Sequence, residues 1–550
     1  MFNLKGIFFY FLAIRIILNK FIKKIYYSSN FYNNSLRTIT PIQFYFFPNS
    51  FLLSSFINYK NFFFKISKVN LDDFWKNNYS KKENSNLNNF LWLNLIDRKN
   101  DGLVIQKIIS IWIQQNKKYK NINWESETIS KRVIAWMLNA DIILNNAEKE
   151  FKIHFLQSLI IQINHLKKIV NFENNYLIKM EIVSAIILSG LIFKEYKKNF
   201  DFGIKELKKI VEEFFDNEGC PKSRNINDLI QSSKFLILIK ECCKDAQEYI
   251  PDYIDDVVEK IIENLMSIKT FENKNPLFNG ANENKMEDYF NYLSGLGYKS
   301  NKKKYSVSQI QILRNKKAII FFDTGNPPKR KFSSSYQSGP LSFEYLNDGE
   351  KIITNCGYGD QISKKIETIS RLTSAQSTLC INDTSVVNFE KNLIIKDAFG
   401  NSIKTSFKTF DVNKHNDDNY LSISGSHNAY ESKFGYIHNR LIKINKKNND
   451  LSGEDSLIKT KNTINQNKFN IRFHLYPEVT AVQTIGGNTI LIQTQKNISL
   501  IFSTNVEDLM LEKSIFLARN QIINNFCINI SGKINNENKI IKWEIKKVVN

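Results

Sequence analysis

Two short segments hold the side chains best suited to moving protons: His427 and Tyr430 in SGSHNAY, and Tyr436 and His438 in GYIHNRL, with Arg440 two positions on. An imidazole exchanges a proton near neutrality and a phenol can give one to a departing oxygen, so these types held together suit general acid–base catalysis. A single histidine on a strand is equally a packed, hydrogen-bonded core residue, the reading given to His474; His154 and His165 read as helix-face residues. Arg224 and Lys222, in DNEGCPKSRNINDL, could bind a carboxylate, Arg224 through its two-pronged guanidinium, or stand in solvent. Asn174, Asn175 and Tyr176 precede LIKMEIVSAIILSG, where an Asn either binds substrate or caps the helix.

Other chemistries are set aside. The six cysteines form no CxxC pair and no histidine stands at ligand spacing, so free buried thiols are expected rather than a zinc ribbon or disulfide framework. GEKIITNCGYGD has glycines but no following helix, so it cannot cradle phosphate. KRKF (Lys329–Phe332) and NKKKY (Asn301–Tyr305) read as solvated loops, and no nucleic-acid module accompanies them, so nucleic acid is not an expected partner.

The elements that must position these residues fall into two halves. The chain has 550 residues, 42% of them hydrophobic, enough for at least two cores. From Leu87 to Leu293 apolar residues recur at three and four in LVIQKIISIWIQQ, ISKRVIAWMLNADIIL, FLQSLIIQINHLKKIV and MEIVSAIILSGLIF, which predicts antiparallel helix pairs stacked as a solenoid or closed as a toroid. After Asn301–Lys304 the period becomes two, predicting strands in KAIIFFDTG, LSFEYL, KIITNCG, STLCIND, NLIIKDAF, IHNRLIKI, TILIQT and ISLIFST and hence a large two-sheet sandwich. The expected divisions are an amino-terminal basic and aromatic segment packed on the body (1–85), a helical domain (86–300) and a β domain (305–550).

With 76 Lys+Arg against 54 Asp+Glu the net charge is +22, which favours polyanions: nucleic acid, acidic lipid or acidic polysaccharide. At the amino end, IFFYFLAIRIIL (Ile7–Leu18) is flanked by Lys5, Lys20, Lys23 and Lys24 and interrupted by Arg15. It is short for a membrane span, and no cleavage pattern follows. A degenerate signal, an interfacial basic helix touching a membrane through residues 1–25, and a helix packed on the body all fit.

Ordered fragments along the chain resemble the heparinase II/III-like family of bacterial polysaccharide lyases. In the helical half these are LNNFLWLNLIDR (Leu87–Arg98), WESETISKRVIAWM (Trp124–Met137) and PLFNGANE (Pro276–Glu283). In the β half they run from SGPLSFEYLNDGEKIITNCG (Ser338–Gly357) and SRLTSAQSTLCINDTS (Ser370–Ser385), through SHNAY, HNRLIKI and LSGEDSL, to RFHLYPEV (Arg472–Val479) and LEKSIF (Leu511–Phe516). The resemblance implies an α+β multidomain chain, an α/α toroid followed by a large antiparallel β-sandwich. It also implies β-elimination on a uronate-containing polysaccharide. That reaction needs a group to neutralise the carboxylate, a base for the C5 proton and an acid for the leaving oxygen.

By that resemblance His427 is expected as base and Tyr430 as acid, with Arg440 or Arg371 supplying positive charge and Asn174, Asn175, Tyr176, Arg224, Tyr436 and His438 lining subsites. Where the family places two histidines this chain has Gln337 and Gln376, and near the third place of a metal set it has Asn355. Carboxamides are poor zinc ligands, so neither metal nor other cofactor is expected. The two glutamines either hold the carboxylate by neutral hydrogen bonds or mark a site decayed into a carbohydrate-binding surface. The expectations are therefore a lyase acting on acidic polysaccharide, or a catalytically impaired binding or scaffolding protein of envelope polysaccharide metabolism. A membrane-surface protein held by its amino end is compatible with either; the cell envelope or periplasm is the place the resemblance implies, with a cytoplasmic, membrane-associated protein as the alternative.

Overall fold

A computed structural model of the chain describes residues 4–57, 75, 80–99, 101–120, 123–462, 466–506 and 508–548, with side chains from residue 8. Most of residues 58–79, within the segment expected to pack on the body, lie outside the described residues.

The helical half runs through Gly102–Gln115, Ser126–Leu138, Lys149–Ile169, Tyr176–Ile192, Lys198–Phe214, Ile226–Asp245 and Asp252–Ser267. Asp252–Ser267 has the pattern of an outer helix: Pro251 precedes it, Asp252 and Asp255 face its positive end, and one side is apolar. Tyr176–Ile192 is buried almost all round from Met180 onward, as its lack of a polar face requires. The run ISKRVIAWMLNADIIL, expected as one helix, divides at Asn139, whose side-chain amide donates back to the Ala135 carbonyl (2.9 Å). Trp112 and Trp136 meet edge to face (5.4 Å) at the centre, and the fully buried Arg132 guanidinium lies over Trp112 (4.2 Å). Arg132 donates to Gln162 Oε1 (2.6 Å) and the Asn88 carbonyl (2.8 Å), so the arginine of the WESETISKRVIAWM motif is a core member.

The β half is two antiparallel sheets. In one, strands lie in the order Ser306–Val307, Ile310–Arg314, Ala318–Asp323, Phe343–Asn347, Glu350–Thr354, Asn467–Leu475, Ile523–Ile534, Leu509–Phe516, with Leu379–Ile381 also on Asn467–Leu475. In the other they lie in the order Thr480–Gln483, Thr489–Gln493, Ser499–Thr504, Lys539–Lys547, Leu451–Lys459, Tyr436–Asn445, Tyr420–His427, Thr409–Asn416. Phe343, Phe473 and Phe502 pack around Trp543 between the sheets. Position 453 must be glycine, since a Cβ there would stand 2.1 Å from the Trp543 ring. One expected strand is a helix: Leu393–Phe399, from NLIIKDAF, starts at Asn392, whose Oδ1 accepts from the Ile394 (2.9 Å) and Ile395 (3.2 Å) amides. Its Ile394, Ile395, Ala398 and Phe399 pack on Ala13, Ile16 and Ile17 of the amino-terminal helix Leu4–Ser28, the helical spacing overriding β propensity. All six cysteines are buried free thiols, as expected.

Four of the six histidines, His165, His427, His438 and His474, are buried, and burial holds each imidazole below its ordinary value, His474 to about 4 and His165 to about 3. Unfolded histidines take a proton near pH 6.5, so the folded state is fully favoured above that pH. Below it, stability falls by about 1.4 kcal/mol per pH unit for each histidine held neutral. Calorimetry should show the melting temperature dropping between pH 7 and 5; a flat profile would contradict these buried, neutral rings.

Candidate functional site

A cleft of about 1710 Å³ opens between the helical half and the sandwich, roofed by the amino-terminal helix. One wall comes from residues 172–178 and 223–231, the other from 330–335 and 358–361, and Phe9, Lys20, Lys24 and Tyr27 come from the roof. The lining is rich in side-chain amides, among them Asn174, Asn227, Asn282, Asn284, Asn401 and Asn520. Rings interleave with them: Tyr119, Trp124, Phe172, Tyr176, Phe332 and Tyr358.

Local chain features fix these groups. Asn175 caps Tyr176–Ile192, its Oδ1 accepting from the Leu177 (3.0 Å) and Ile178 (3.4 Å) amides, while Glu173 accepts from the Asn174 and Asn175 amides (2.9 Å each). Asn175 is therefore a cap that also lines the cleft. Tyr176 stacks on Phe214, donates to Glu213 Oε2 (2.6 Å) and accepts from Lys331 Nζ (3.3 Å), which reaches across from the sandwich. Burial and the bond to Glu213 push its phenol up to about 12. Asn225 caps Ile226–Asp245 and donates to Ser335 Oγ (3.2 Å), and Asn284 Nδ2 donates to Asn227 Oδ1 (2.8 Å). Asp228 stands in the first turn of that helix and accepts from Ser223 Oγ (2.5 Å). Burial pushes its carboxyl up to about 6 despite that bond. It is a cleft residue not singled out from the sequence, where an acid in a first turn reads as a dipole partner.

Of the residues expected at the site, Asn174, Asn175 and Tyr176 line the cleft and the others do not. His427 and Tyr430, expected as base and acid, are buried inside the sandwich. Tyr430 donates its hydroxyl to the Leu379 carbonyl (3.0 Å). The histidines form a chain whose protons follow from its ends. Asp455 Oδ1 accepts from His438 Nε2 (2.7 Å), so His438 Nδ1 accepts from His427 Nε2 (3.1 Å), and His427 Nδ1 accepts from the Ala429 amide (3.2 Å). Both rings are neutral, and no polymer chain reaches them. Arg440 closes the network on Asp455 (2.7 Å), and Tyr436 packs beside it in the core.

The remaining cations hold backbone. Arg371 donates to the Tyr336 (2.9 Å) and Ser333 (2.8 Å) carbonyls and lies over Phe389. Arg224, expected at a subsite, is sealed between the halves against Asp323, the Ser308 carbonyl (3.0 Å) and the Asn326 carbonyl (3.1 Å). Gln337 and Gln376 likewise bind backbone. Gln337 accepts from the Gly280 amide (2.9 Å) and donates to the Gly357 (3.0 Å) and Ser370 (2.8 Å) carbonyls; Gln376 donates to the Ser370 carbonyl (2.9 Å). Asn355 donates to the Leu277 carbonyl (3.0 Å) and accepts from the Ser377 amide (2.9 Å). Three committed carboxamides do not fit a metal ion. Gln337 and Asn355 tie the segment Pro276–Glu283 of the helical half to the sandwich, while Gln376 braces the turn around Ser370 and Leu372.

Comparison with known proteins agrees with this architecture. Residues 299–544 match the family described as Heparinase II/III-like, C-terminal. Among solved structures, the Heparinase III-BT4657 gene product superposes with a TM-score of 0.67 at 14% identity, covering 90% of this chain and 85% of that one. A structure titled Heparinase III gives 0.66 at 13% over 98% and 92%, and a mutant of the heparan sulfate lyase HepC from Pedobacter heparinus gives 0.63 at 14% over 90% and 79%. At such identities the likeness is one of fold: an α/α toroid followed by a β-sandwich. FtsZ-localized protein C from Caulobacter vibrioides is 25% identical over 186 residues, and the match spans only about a third of either protein (32% of each). Residues 299–544 thus carry a heparinase II/III-like C-terminal domain, on a toroid-plus-sandwich frame of the kind seen in the heparinase III structures.

Proposed function

We propose that this protein binds an acidic, uronate-containing polysaccharide in the cleft and serves envelope polysaccharide metabolism as a binding or scaffolding protein. The observation that carries the reading is the cleft lining: amides and aromatic faces together, with Lys24, Arg330, Lys331 and Lys396 set among them. Amides pair with sugar hydroxyls, rings stack on sugar faces, and ammonium and guanidinium groups meet carboxylates. Elimination lacks support at the positions where it is expected, since Gln337 and Gln376 have no basic atom and are buried with their amide nitrogens bonded to backbone carbonyls, and His427 and Tyr430 are sealed. A relative bearing the name FtsZ-localized protein C also supports a role other than polymer breakdown.

A lyase is the second reading, favoured by one observation: Asp228 lies in the cleft with its carboxyl raised to about 6, within the range of a general base. One experiment separates them. The purified protein is titrated with a panel of acidic polysaccharides while binding is followed by calorimetry and unsaturated uronate by ultraviolet absorbance. The expected result is binding without chromophore, weakened about five-fold in Lys331→Gln at low salt and less at high salt, as for a partly exposed charge. Chromophore that disappears in Asp228→Asn would establish the lyase instead, and absence of binding to every polymer would overturn both.

A further inference from the structure

We infer that the outer face of the amino-terminal helix is a docking surface for an acidic lipid bilayer. Leu4–Ser28 is a single helix of 25 residues whose two sides have different tasks. The inner side is anchored at both ends of the cleft. Ala13, Ile16 and Ile17 pack on the helix Leu393–Phe399, Lys20 Nζ donates to the Asp397 carbonyl (3.1 Å), and Lys23 lies over Phe172 of the helical half (3.5 Å). The outer side carries Phe8, Phe11, Leu18, Ile22 and Ile25, spaced by three, seven, four and three residues, so they form one stripe down the helix. Phe8, Phe11, Leu18, Ile22 and Ile25 are each 55–66% exposed, and Phe21, 62% exposed, widens the stripe.

Charge selects what covers this stripe. Arg15, itself exposed, occupies the remaining place in it. The first 71 residues of the chain contain nine Lys and Arg and no Asp or Glu, the first acid being Asp72. An apolar face whose one charged member is a cation, in a stretch without acids, matches acyl chains beneath anionic headgroups, with the arginine stem snorkelling to the phosphates. No helix among the described residues is long and apolar enough to cross a membrane, so the contact is one of lying in the interface. The apolar surface continues past the helix: Phe31, Ile39 and Ile42 are 75–83% exposed in the same acid-free stretch. Because the inner side roofs the cleft, docking would hold the cleft against the bilayer surface.

The test is co-sedimentation of the full chain with vesicles of phosphatidylcholine alone or mixed with phosphatidylglycerol. Binding is expected to the mixed vesicles only, to weaken with salt, and to fall at least about ten-fold in Leu18→Asp/Ile22→Asp, which removes two inserted side chains. These side chains are exposed, so the variant should keep the parent's melting temperature; Arg15→Gln, which leaves the apolar side chains of the stripe intact, should lower binding without changing fold. Equal sedimentation of parent and Leu18→Asp/Ile22→Asp, or none with anionic vesicles, would overturn the proposal. A dimer in solution that Leu18→Asp/Ile22→Asp dissolves, without vesicle binding, would give the face to a second copy of the chain and likewise overturn it.

Discussion

Asp455→Ala should destabilise the sandwich by about 3–5 kcal/mol, the cost of leaving a buried charge without its partner. Asp455 accepts from His438 Nε2 (2.7 Å), Arg440 Nε (2.7 Å) and Nη2 (3.1 Å), and Trp543 Nε1 (2.9 Å), and its own side chain and those of His438 and Arg440 are wholly shielded. Without it Arg440 keeps only the Leu341 (2.9 Å) and Ser377 (2.8 Å) carbonyls, and a full positive charge stays in the core. The Arg440 guanidinium and the bond from His438 hold the Asp455 carboxyl well below the usual carboxylate range, although burial alone would raise it. Its contribution is therefore present above the unfolded carboxylate pKa near 4 and is lost only as acid takes the pH through the lower folded value. Chemical unfolding followed by the near-ultraviolet signal of Trp543 measures the loss; an unchanged midpoint would refute the role given to this carboxylate. His427→Ala tests the same network from its far end, and is expected to lower stability while leaving polysaccharide binding intact.

The sequence contained more of this network than its His/Tyr richness suggested. Along Tyr436–Asn445 the buried positions are Tyr436, His438, Arg440, Ile442 and Ile444, a strict alternation that places the polar residues on the same face as two isoleucines. On the paired strand, Leu451, Gly453, Asp455 and Leu457 do the same, with Asp455 directly opposite Arg440. Period two alone therefore assigns His438 and Arg440 to the interior, where a charge must find a counter-charge. The two-half architecture was readable for the same reason, because a change of apolar period from three-to-four to two needs no long-range information. The cleft was not. Asp228, Tyr358 and Lys396 are far apart in the chain and meet only through the packing of the halves, and NLIIKDAF has β-branched residues that propensity alone assigns to a strand. Asn175 shows a limit of a different kind, since a cap and a cleft residue have one sequence signature and here are one side chain.

Asp323→Ala should uncouple the helical half from the sandwich. Arg224 leaves the helical half in a left-handed conformation (φ 62°) and passes its guanidinium beside Gly325, where a Cβ would fall 2.0 Å from it. It meets Asp323 in a pair whose side chains are only 5% and 3% exposed. The residue before the capping Asn225 is thereby clamped to the first strands of the sandwich, and Asn225, Asn227 and Asp228 are carried to the cleft on the same turn. Removing the carboxylate strands the arginine at a cost of about 3–5 kcal/mol, and calorimetry should resolve two transitions in place of one. Polysaccharide affinity should fall with it, since the walls of the cleft then hold no fixed spacing. Replacing both partners, Arg224→Met with Asp323→Leu, removes the stranded charge and should recover most of the stability. If affinity returns with stability in that double variant, the pair acts by fixing the two halves. If stability returns and affinity does not, Arg224 contributes its charge to the polymer after all, and its burial at the joint must open when the cleft is filled.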